Sequence, residues 1–208
     1  LGTLGFNTPS GIVSTGFTTP ESIDLHQILK IIKDGGINFV PMEISSHAIE
    51  LNRVDDIDVN FAIYTNIGLD HLDFHKTQEN YFKSKLKLFQ NLSKNSTAIL
   101  NKDDDYCGRI IESINCTYHT YGSDSQSDLC MLHFNGSINF SEAVIKYKNQ
   151  KYPIKTNLIG KFNLYNLMAA ILCCLKIGIK IENIISSIKN IGNINGRFEK
   201  YLITKNNN

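Results

Sequence analysis

Two short stretches of this sequence concentrate side chains able to do chemistry. Glu43-Ile44-Ser45-Ser46-His47 sets a carboxylate, two hydroxyls and an imidazole side by side, and Asp70, His71, Asp73 and His75 interleave carboxylates with imidazoles. Both group types are competent metal ligands, so the second stretch could hold a divalent cation and activate a water for hydrolysis. Its plainer reading is a solvated loop with at most one functional member. Glu43 sits among Val40, Met42 and Ile44, where a carboxylate is costly unless a cation or hydrogen bonds compensate it. An acid at a strand end, pointing to water, reads equally well. Lys85 shares an i, i+4, i+8 stripe with Tyr81 and Phe89, so it faces the core side of a helix while Lys83 and Lys87 face elsewhere. Its stem can snorkel with the ammonium in water. Alternatively, desolvation lowers its pKa, and the neutral amine adds carbon dioxide to become a carbamate, which is a carboxylate ligand.

The elements that must position these groups are legible in the pattern. Thr19-Pro20-Glu21 reads as an N-cap, a first-turn proline and an early acid, followed by Leu25, Ile28, Leu29 and Ile32 at helical spacing and a Gly35-Gly36 stop. Asn38 to Ile44 and Val59 to Ile67 are short apolar runs that suit buried parallel strands, with Glu43 at the end of the first and His71 just past the second. Thr77 caps the Lys85 helix, Ala98-Ile99-Leu100 makes a strand, and a helix follows from about Tyr106 to Ile114. This alternation predicts an α/β fold with a mostly parallel, doubly wound sheet. From Leu129 to Leu158 the pattern changes to a small antiparallel sheet with turn signals at Asn135-Gly136 and Lys148-Asn149-Gln150. Helices from about Asn163 to a Gly178 stop, and through Ile184, Ile185 and Ile188, close the chain.

Composition narrows the function. The chain has 208 residues with 21 basic and 20 acidic side chains spread along it, so no basic stripe for nucleic acid is present. No apolar run reaches the length of a spanning helix, and no signal peptide pattern opens the chain, so the expectation is no membrane insertion and a cytoplasmic site. Five cysteines without a CxxC pair read as free thiols. A start at Leu1 and a polar Lys205-Asn206-Asn207-Asn208 end read as a piece of a longer chain.

Taken in order, the motifs resemble Mur ligases of the MurE type. They are Gly2-Thr3-Leu4-Gly5, Thr18-Thr19-Pro20, Met42 to Ala48, Arg53-Val54, Thr65-Asn66 with Asp70-His71-Leu72-Asp73-Phe74-His75, Tyr81 to Lys85, Asn101 with Asp103-Asp104, Asn163 to Asn166, and Gly196-Arg197-Phe198-Glu199. The SSHA and DHLDxH segments point to this member and, with Thr-Thr-Pro, away from the related folylpolyglutamate synthases.

The resemblance implies a central ATP-handling domain over residues 1–200, with its antiparallel sheet at about 129–160, and the start of a C-terminal domain at 201–208. It also implies ATP and Mg2+ as cofactors, and a UDP-N-acetylmuramoyl-dipeptide and an amino acid, meso-diaminopimelate or else L-lysine, as substrates of a monomeric enzyme. Glu43, His71 and Lys85, the last as a carbamate, match catalytic magnesium-site positions. Thr18, Thr19, Ser45 and Arg53 match positions holding the muramoyl-peptide, and Asn163, Asn166 and Arg197 match positions around the nucleotide. Two departures stand out. Leu51 replaces a frequent glutamine, and no G-x-x-x-x-G-K-[ST] loop occurs, although ATP use in this family needs one. The chain alone is therefore expected to be an inactive fragment. The other readings are a non-catalytic nucleotide-binding remnant and a metal-dependent hydrolase using Asp70, His71, Asp73 and His75.

Overall fold

The structure, a computed structural model, describes residues 1–8 and 11–192, with the backbone alone at 7 and 8. The chain divides into two compact units. The first comprises Leu1–Ala62, Ile67–Ser96 and Glu112–Cys116, and the second comprises Ile63–Asn66, Thr97–Ile111 and Thr117–Asn208.

In the first unit, β1 (Phe6–Thr8) and β2 (Gly11–Val13) form an antiparallel hairpin that the sequence pattern does not announce. α1 spans Ser22–Asp34 and ends where Gly36 turns to φ 76°. Its N-cap is Glu21 rather than Thr19. The Thr19 hydroxyl is engaged elsewhere, donating to the Glu43 carbonyl at 3.0 Å and accepting from Ser45 N at 3.1 Å. α2 (Ser46–Glu50) is capped by Ser45, whose Oγ accepts from Ala48 N at 3.2 Å. α3 (Leu72–His75) is a single turn, and α4 (Gln78–Gln90) starts at the expected Thr77 cap, whose Oγ1 accepts from Asn80 N at 3.1 Å. Leu25, Ile49 and Val54 are buried together, with Leu29, Met42, Ile44, Ile57 and Leu88 packed around them.

The strand expected over Asn38 to Ile44 does not form; 37–45 is irregular, and Phe39 and Val40 are exposed. A strand needs a ladder, and among the described residues the pairing of this segment is with Leu1. Leu1 N donates to Pro41 O at 2.9 Å and Glu43 N donates to Leu1 O at 3.0 Å. Pro41 has no N–H to extend it.

The second unit is built on a sheet of order β3-β4-β5-β6-β7-β8, of which only Phe61 and Ala62 in β3 fall in the first unit. Its strands are β3 (Phe61–Tyr64), β4 (Thr97–Asn101), β5 (Thr117–Gly122), β6 (Leu129–Gly136), β7 (Ser141–Tyr147) and β8 (Gln150–Thr156). β4, β5 and β6 run parallel, and β6, β7 and β8 are antiparallel. The antiparallel strands lie where the sequence put them and continue the parallel ones in one sheet. They join through two residue pairs, Tyr121↔Leu129 and Gly122↔Cys130. β6 runs through the Asn135-Gly136 signal. The chain reverses after it, where Ser137 Oγ accepts from Asn139 N at 3.1 Å and Phe140 N at 3.0 Å.

Three helices flank this sheet in sequence, α5 (Cys107–Ser113), α6 (Lys161–Ile177) and α7 (Ile181–Ile188). α6 is apolar on most sides because it is largely buried: Leu164, Leu167, Met168, Ile171 and Leu172 pack with Ile99, Tyr121, Leu129 and Ile145. It stops at Gly178, φ 101°, as the sequence indicates. Among the described residues no helix is long and apolar enough to cross a membrane.

Candidate functional site

In the first unit the sequence-selected residues gather into two networks. The first is centred on Glu43. Its Oε2 accepts from Thr3 N at 2.9 Å and Thr3 Oγ1 at 2.7 Å, and with that hydroxyl committed, Thr18 Oγ1 donates to Thr3 Oγ1 at 3.1 Å. A Cβ on residue 2 would fall 2.8 Å from Glu43 Cδ, so the close approach requires Gly2. Thr19, fully buried, ties the Glu43 carbonyl to Ser45 N. Arg53 completes the network, donating from one terminal nitrogen to Thr19 O at 3.1 Å and from the other to Glu21 Oε1 at 2.5 Å, with its guanidinium over the Phe17 ring at 4.9 Å. Arg53 Nε is buried with no hydrogen-bond partner among the described residues. Thr18, Thr19, Glu43, Ser45 and Arg53 thus converge; Thr3, Phe17 and Glu21 are the members that sequence reasoning missed.

The second network is aromatic. His47 lies 5.0 Å from His71 and 4.1 Å from Phe74, centroid to centroid. Tyr81 meets three groups at once: His71 edge-on at 5.7 Å, His75 stacked at 5.1 Å, and the Lys85 ammonium at 4.9 Å from its centroid. Burial, and secondarily Asp70, push the Tyr81 phenol above its ordinary pKa. Lys85 is half-buried between the exposed Lys83 and Lys87, as its place on the stripe implies. His71 precedes α3 at φ 57°, a left-handed conformation uncommon for a residue with a side chain.

The two networks meet at the start of α2. Ser45 belongs to the first and His47 to the second, and Ser46 between them is buried with its Oγ 2.8 Å from His75 Nε2. His75 is itself buried, which lowers its pKa; the neighbouring His47 and His71 also lower it, while Glu50 and Asp73 oppose them. The Asp70, His71, Asp73 and His75 set therefore does not make a metal cage. His75 turns inward to Ser46, Asp73 is exposed, and among the described residues no group of three or more His, Cys, Asp or Glu is placed to hold a metal. The donor chemistry fits a magnesium ion better than a closed site would. Mg2+ keeps several waters and takes only one or two protein carboxylates beside phosphate oxygens, and Glu43 offers an exposed carboxylate already oriented by Thr3.

In the second unit, Asn163 and Asn166 stand in the first turns of α6. Asn163 is buried and donates from Nδ2 to Ile159 O at 2.8 Å, while Asn166 is exposed. Arg197 lies outside the described residues. Between them in sequence, Tyr165 donates its hydroxyl to Asp103 Oδ2 at 2.5 Å, and the same carboxylate accepts from Ser123 N at 2.6 Å, Ser123 Oγ at 2.7 Å and Asp124 N at 3.2 Å. Burial pushes the Asp103 carboxyl up, but these bonds outweigh it and hold it below the usual range; the Tyr165 phenol is pushed up to about 12 by burial and by Asp103. A Cβ on residue 122 would come within 2.7 Å of Asp103 Oδ1, so this loop clamp needs Gly122.

Comparison with known proteins adds an independent line. Residues 1–174 match the Mur ligase middle domain. A UDP-N-acetylmuramoyl-L-alanyl-D-glutamate--2,6-diaminopimelate ligase from Fusobacterium nucleatum is 38% identical over 202 residues, covering 96% of this chain and 41% of that protein. The ligase of the same name from Clostridium botulinum is 36% identical over 208 residues, covering 100% and 42%. Among solved structures, a ligase of that name superposes with a TM-score of 0.84 at 25% identity, over 95% of this chain and 41% of its own. The MurF ligase from Thermotoga maritima in complex with ADP shares the fold at a TM-score of 0.61 and 18% identity, over 74% of this chain and 35% of its own. The chain spans about two fifths of the length of the curated relatives it matches.

Proposed function

The chain belongs to the Mur ligase family through its middle domain, and from that premise we propose that it is the ATP-handling part of a cytoplasmic, monomeric enzyme adding diaminopimelate to UDP-N-acetylmuramoyl-L-alanyl-D-glutamate in peptidoglycan synthesis. The observation that carries this reading is the convergence of Thr18, Thr19, Glu43, Ser45 and Arg53 into one hydrogen-bonded network, within a chain whose relatives carry that activity in their names.

In this reading the substrate's terminal carboxylate attacks the γ-phosphorus of ATP, releasing ADP and leaving an acyl phosphate. The amine of the incoming amino acid then attacks the acyl carbon, and phosphate departs. Thr18, Ser45 and Arg53 hold the muramoyl-peptide, with the Arg53 guanidinium, already stacked on Phe17, balancing its negative charge. Asn163 and Asn166 contact the nucleotide, a role this reading also gives to Arg197. Glu43, His71 and Lys85 would hold Mg2+, which when bound neutralises charge on the transferring phosphoryl group. Lys85 takes part by losing a proton and adding carbon dioxide at Nζ, giving a carbamate whose oxygens are hard donors.

The test uses the full-length protein that carries this chain. ATP, Mg2+, the UDP-muramoyl-dipeptide and diaminopimelate should give one ADP and one phosphate per amide formed, with L-lysine as the competing amino acid. Phosphate release that needs neither peptide nor amine would replace the ligase reading with hydrolysis.

A further inference from the structure

α3 is a single turn and cannot hold itself in place. Its Leu72 is half-buried and its Phe74 is 42% exposed, so the element is secured at its last residue, His75, which is 6% exposed. That residue is bonded from every side. Its backbone N donates to His71 O at 2.9 Å, Asn80 Nδ2 donates to its carbonyl at 3.0 Å, and its Nε2 meets Ser46 Oγ at 2.8 Å. Ser46 is buried in turn, and its carbonyl accepts from the fully buried Ser84 Oγ at 3.0 Å, one residue before Lys85 on α4. His75 therefore connects the turn that starts with His71, the helix that carries Lys85 and the helix start that carries Ser45. Its ring stacks on Tyr81, the same ring that faces His71 and lies under the Lys85 ammonium.

We propose that His75 is a positioning residue. Pinned to Ser46 and stacked on Tyr81, it sets the placement of His71 and Lys85 relative to the Ser45–His47 turn, and so the geometry in which the metal-binding side chains meet the substrate. This rests on the reading of His71 and Lys85 as magnesium-site residues. It assigns His75 no contact with metal or substrate. Its ring is a spacer whose width and single hydrogen bond decide how far α3 stands from α2 and α4. His71, held at φ 57° with its side chain 40% exposed, rests on the His47 and Tyr81 rings, and the His75 ring stacks on that same Tyr81.

The experiment uses the full-length enzyme and measures kcat, the Mg2+ concentration for half-maximal velocity, the KM for ATP and thermal melting. His75→Phe keeps the stack on Tyr81 and removes the bond to Ser46. It should raise the Mg2+ requirement and lower kcat, each about tenfold or more, the range seen when groups behind a metal ligand are altered, with the KM for ATP at saturating Mg2+ unchanged. His75→Gln, whose amide nitrogen can reach the Nε2 position, should recover most of the loss, a rescue that mere packing does not predict. Ser46→Ala should shift the same two quantities, and the double variant His75→Phe, Ser46→Ala should be no worse than the poorer single one. A His75→Phe enzyme with parental kcat and Mg2+ dependence overturns the proposal, whatever its melting temperature. Should that variant fail to fold, Ser46→Ala decides, and parental values there overturn it equally. His71→Ala runs alongside. If it leaves Mg2+ dependence untouched, the magnesium reading falls and the proposal with it; if it alters that dependence while His75→Phe and Ser46→Ala do not, only the proposal falls.

Discussion

Lys85→Ala separates a chemical role from a packing role because the two predict losses of different kinds, one in turnover and one in melting. The ammonium lies 4.9 Å from the Tyr81 ring centre, and the side chain is half-buried. Such a cation–π contact is worth about 0.5–1 kcal/mol where solvent reaches it. Trimming the stem removes some apolar cover, and alanine returns a few tenths as a better helix former. These two contributions together should cost about 1 kcal/mol, a small fall in melting temperature. A carbamate donor to the metal is a different matter, since losing one well-placed charge-stabilising group costs about 100-fold or more in kcat. The full-length Lys85→Ala enzyme should thus be folded and nearly inactive, and acetate or formate should partly restore it by supplying the missing carboxylate. Lys85→Arg keeps a cation over Tyr81 and should melt normally, yet stay inactive with or without acid, because a guanidinium does not form a carbamate. Ligation rates with and without added acid, read beside melting curves, decide the matter. An arginine variant near parental activity, or an alanine variant indifferent to acid, would refute the carbamate and leave Lys85 as a residue that packs.

Asp103 should show itself in acid. Its folded carboxyl lies below the ordinary value of about 3.9, so the stability it contributes is complete above that value and lost as pH falls through the folded one. Denaturant midpoints measured from neutral pH to about 3 should fall less steeply for Asp103→Asn than for the parent, and equal slopes would remove the clamp as an acid-sensitive element. Gly122→Ala forces a methyl to within 2.7 Å of that carboxylate and should destabilise by about 1–3 kcal/mol, whereas a neutral result would mean the loop yields freely. Leu25→Ala empties a fully buried site in the first unit and should cost about 2–5 kcal/mol in chemical denaturation. A loss under about 1 kcal/mol would show that the site collapses around the smaller side chain. The 208-residue chain alone, containing no G-x-x-x-x-G-K-[ST] loop, should release no phosphate from ATP above background, and turnover by it would contradict the need for that loop.

What the sequence discloses here follows from how local each signal is. α4 was readable because its cap, stripe and polar face are written within one helix, and Gly178 announced the end of α6 for the same reason. The 38–44 segment misled because an apolar run states what a strand would bury but not whether a neighbour exists to pair with it; the backbone partner it finds is Leu1. β5, Thr-Tyr-His-Thr-Tyr-Gly, escaped notice for the converse reason. It is polar in type, yet strands on both sides supply its hydrogen bonds. Among site residues, the hydroxyl and guanidinium groups around Glu43 were identified from their motifs. Thr3 was given no role of its own, and Ser46 no partner, because a hydroxyl becomes informative only once its burial and partner are known. Thr19 shows the limit well. As a letter it reads as a helix cap, and in space it joins the Glu43 carbonyl to Ser45.

The seam between β5 and β6, only two residue pairs long, has a consequence for the order of assembly. Strands β6, β7 and β8 are joined by short reversals, so their contacts are close in sequence and can form early. β4 and β5 form a separate parallel pair, and a seam of two pairs gives the halves little reason to associate alone. α6 supplies that reason, because its buried face packs against residues from both, Ile99 and Tyr121 on one side and Leu129 and Ile145 on the other. Its docking should therefore be a late event, and the first turns that carry Asn163 and Asn166 reach their final setting only when the whole sheet has come together. A half-assembled molecule would leave those turns unplaced, so under the role proposed for Asn163 and Asn166 nucleotide binding would double as a report that folding is complete.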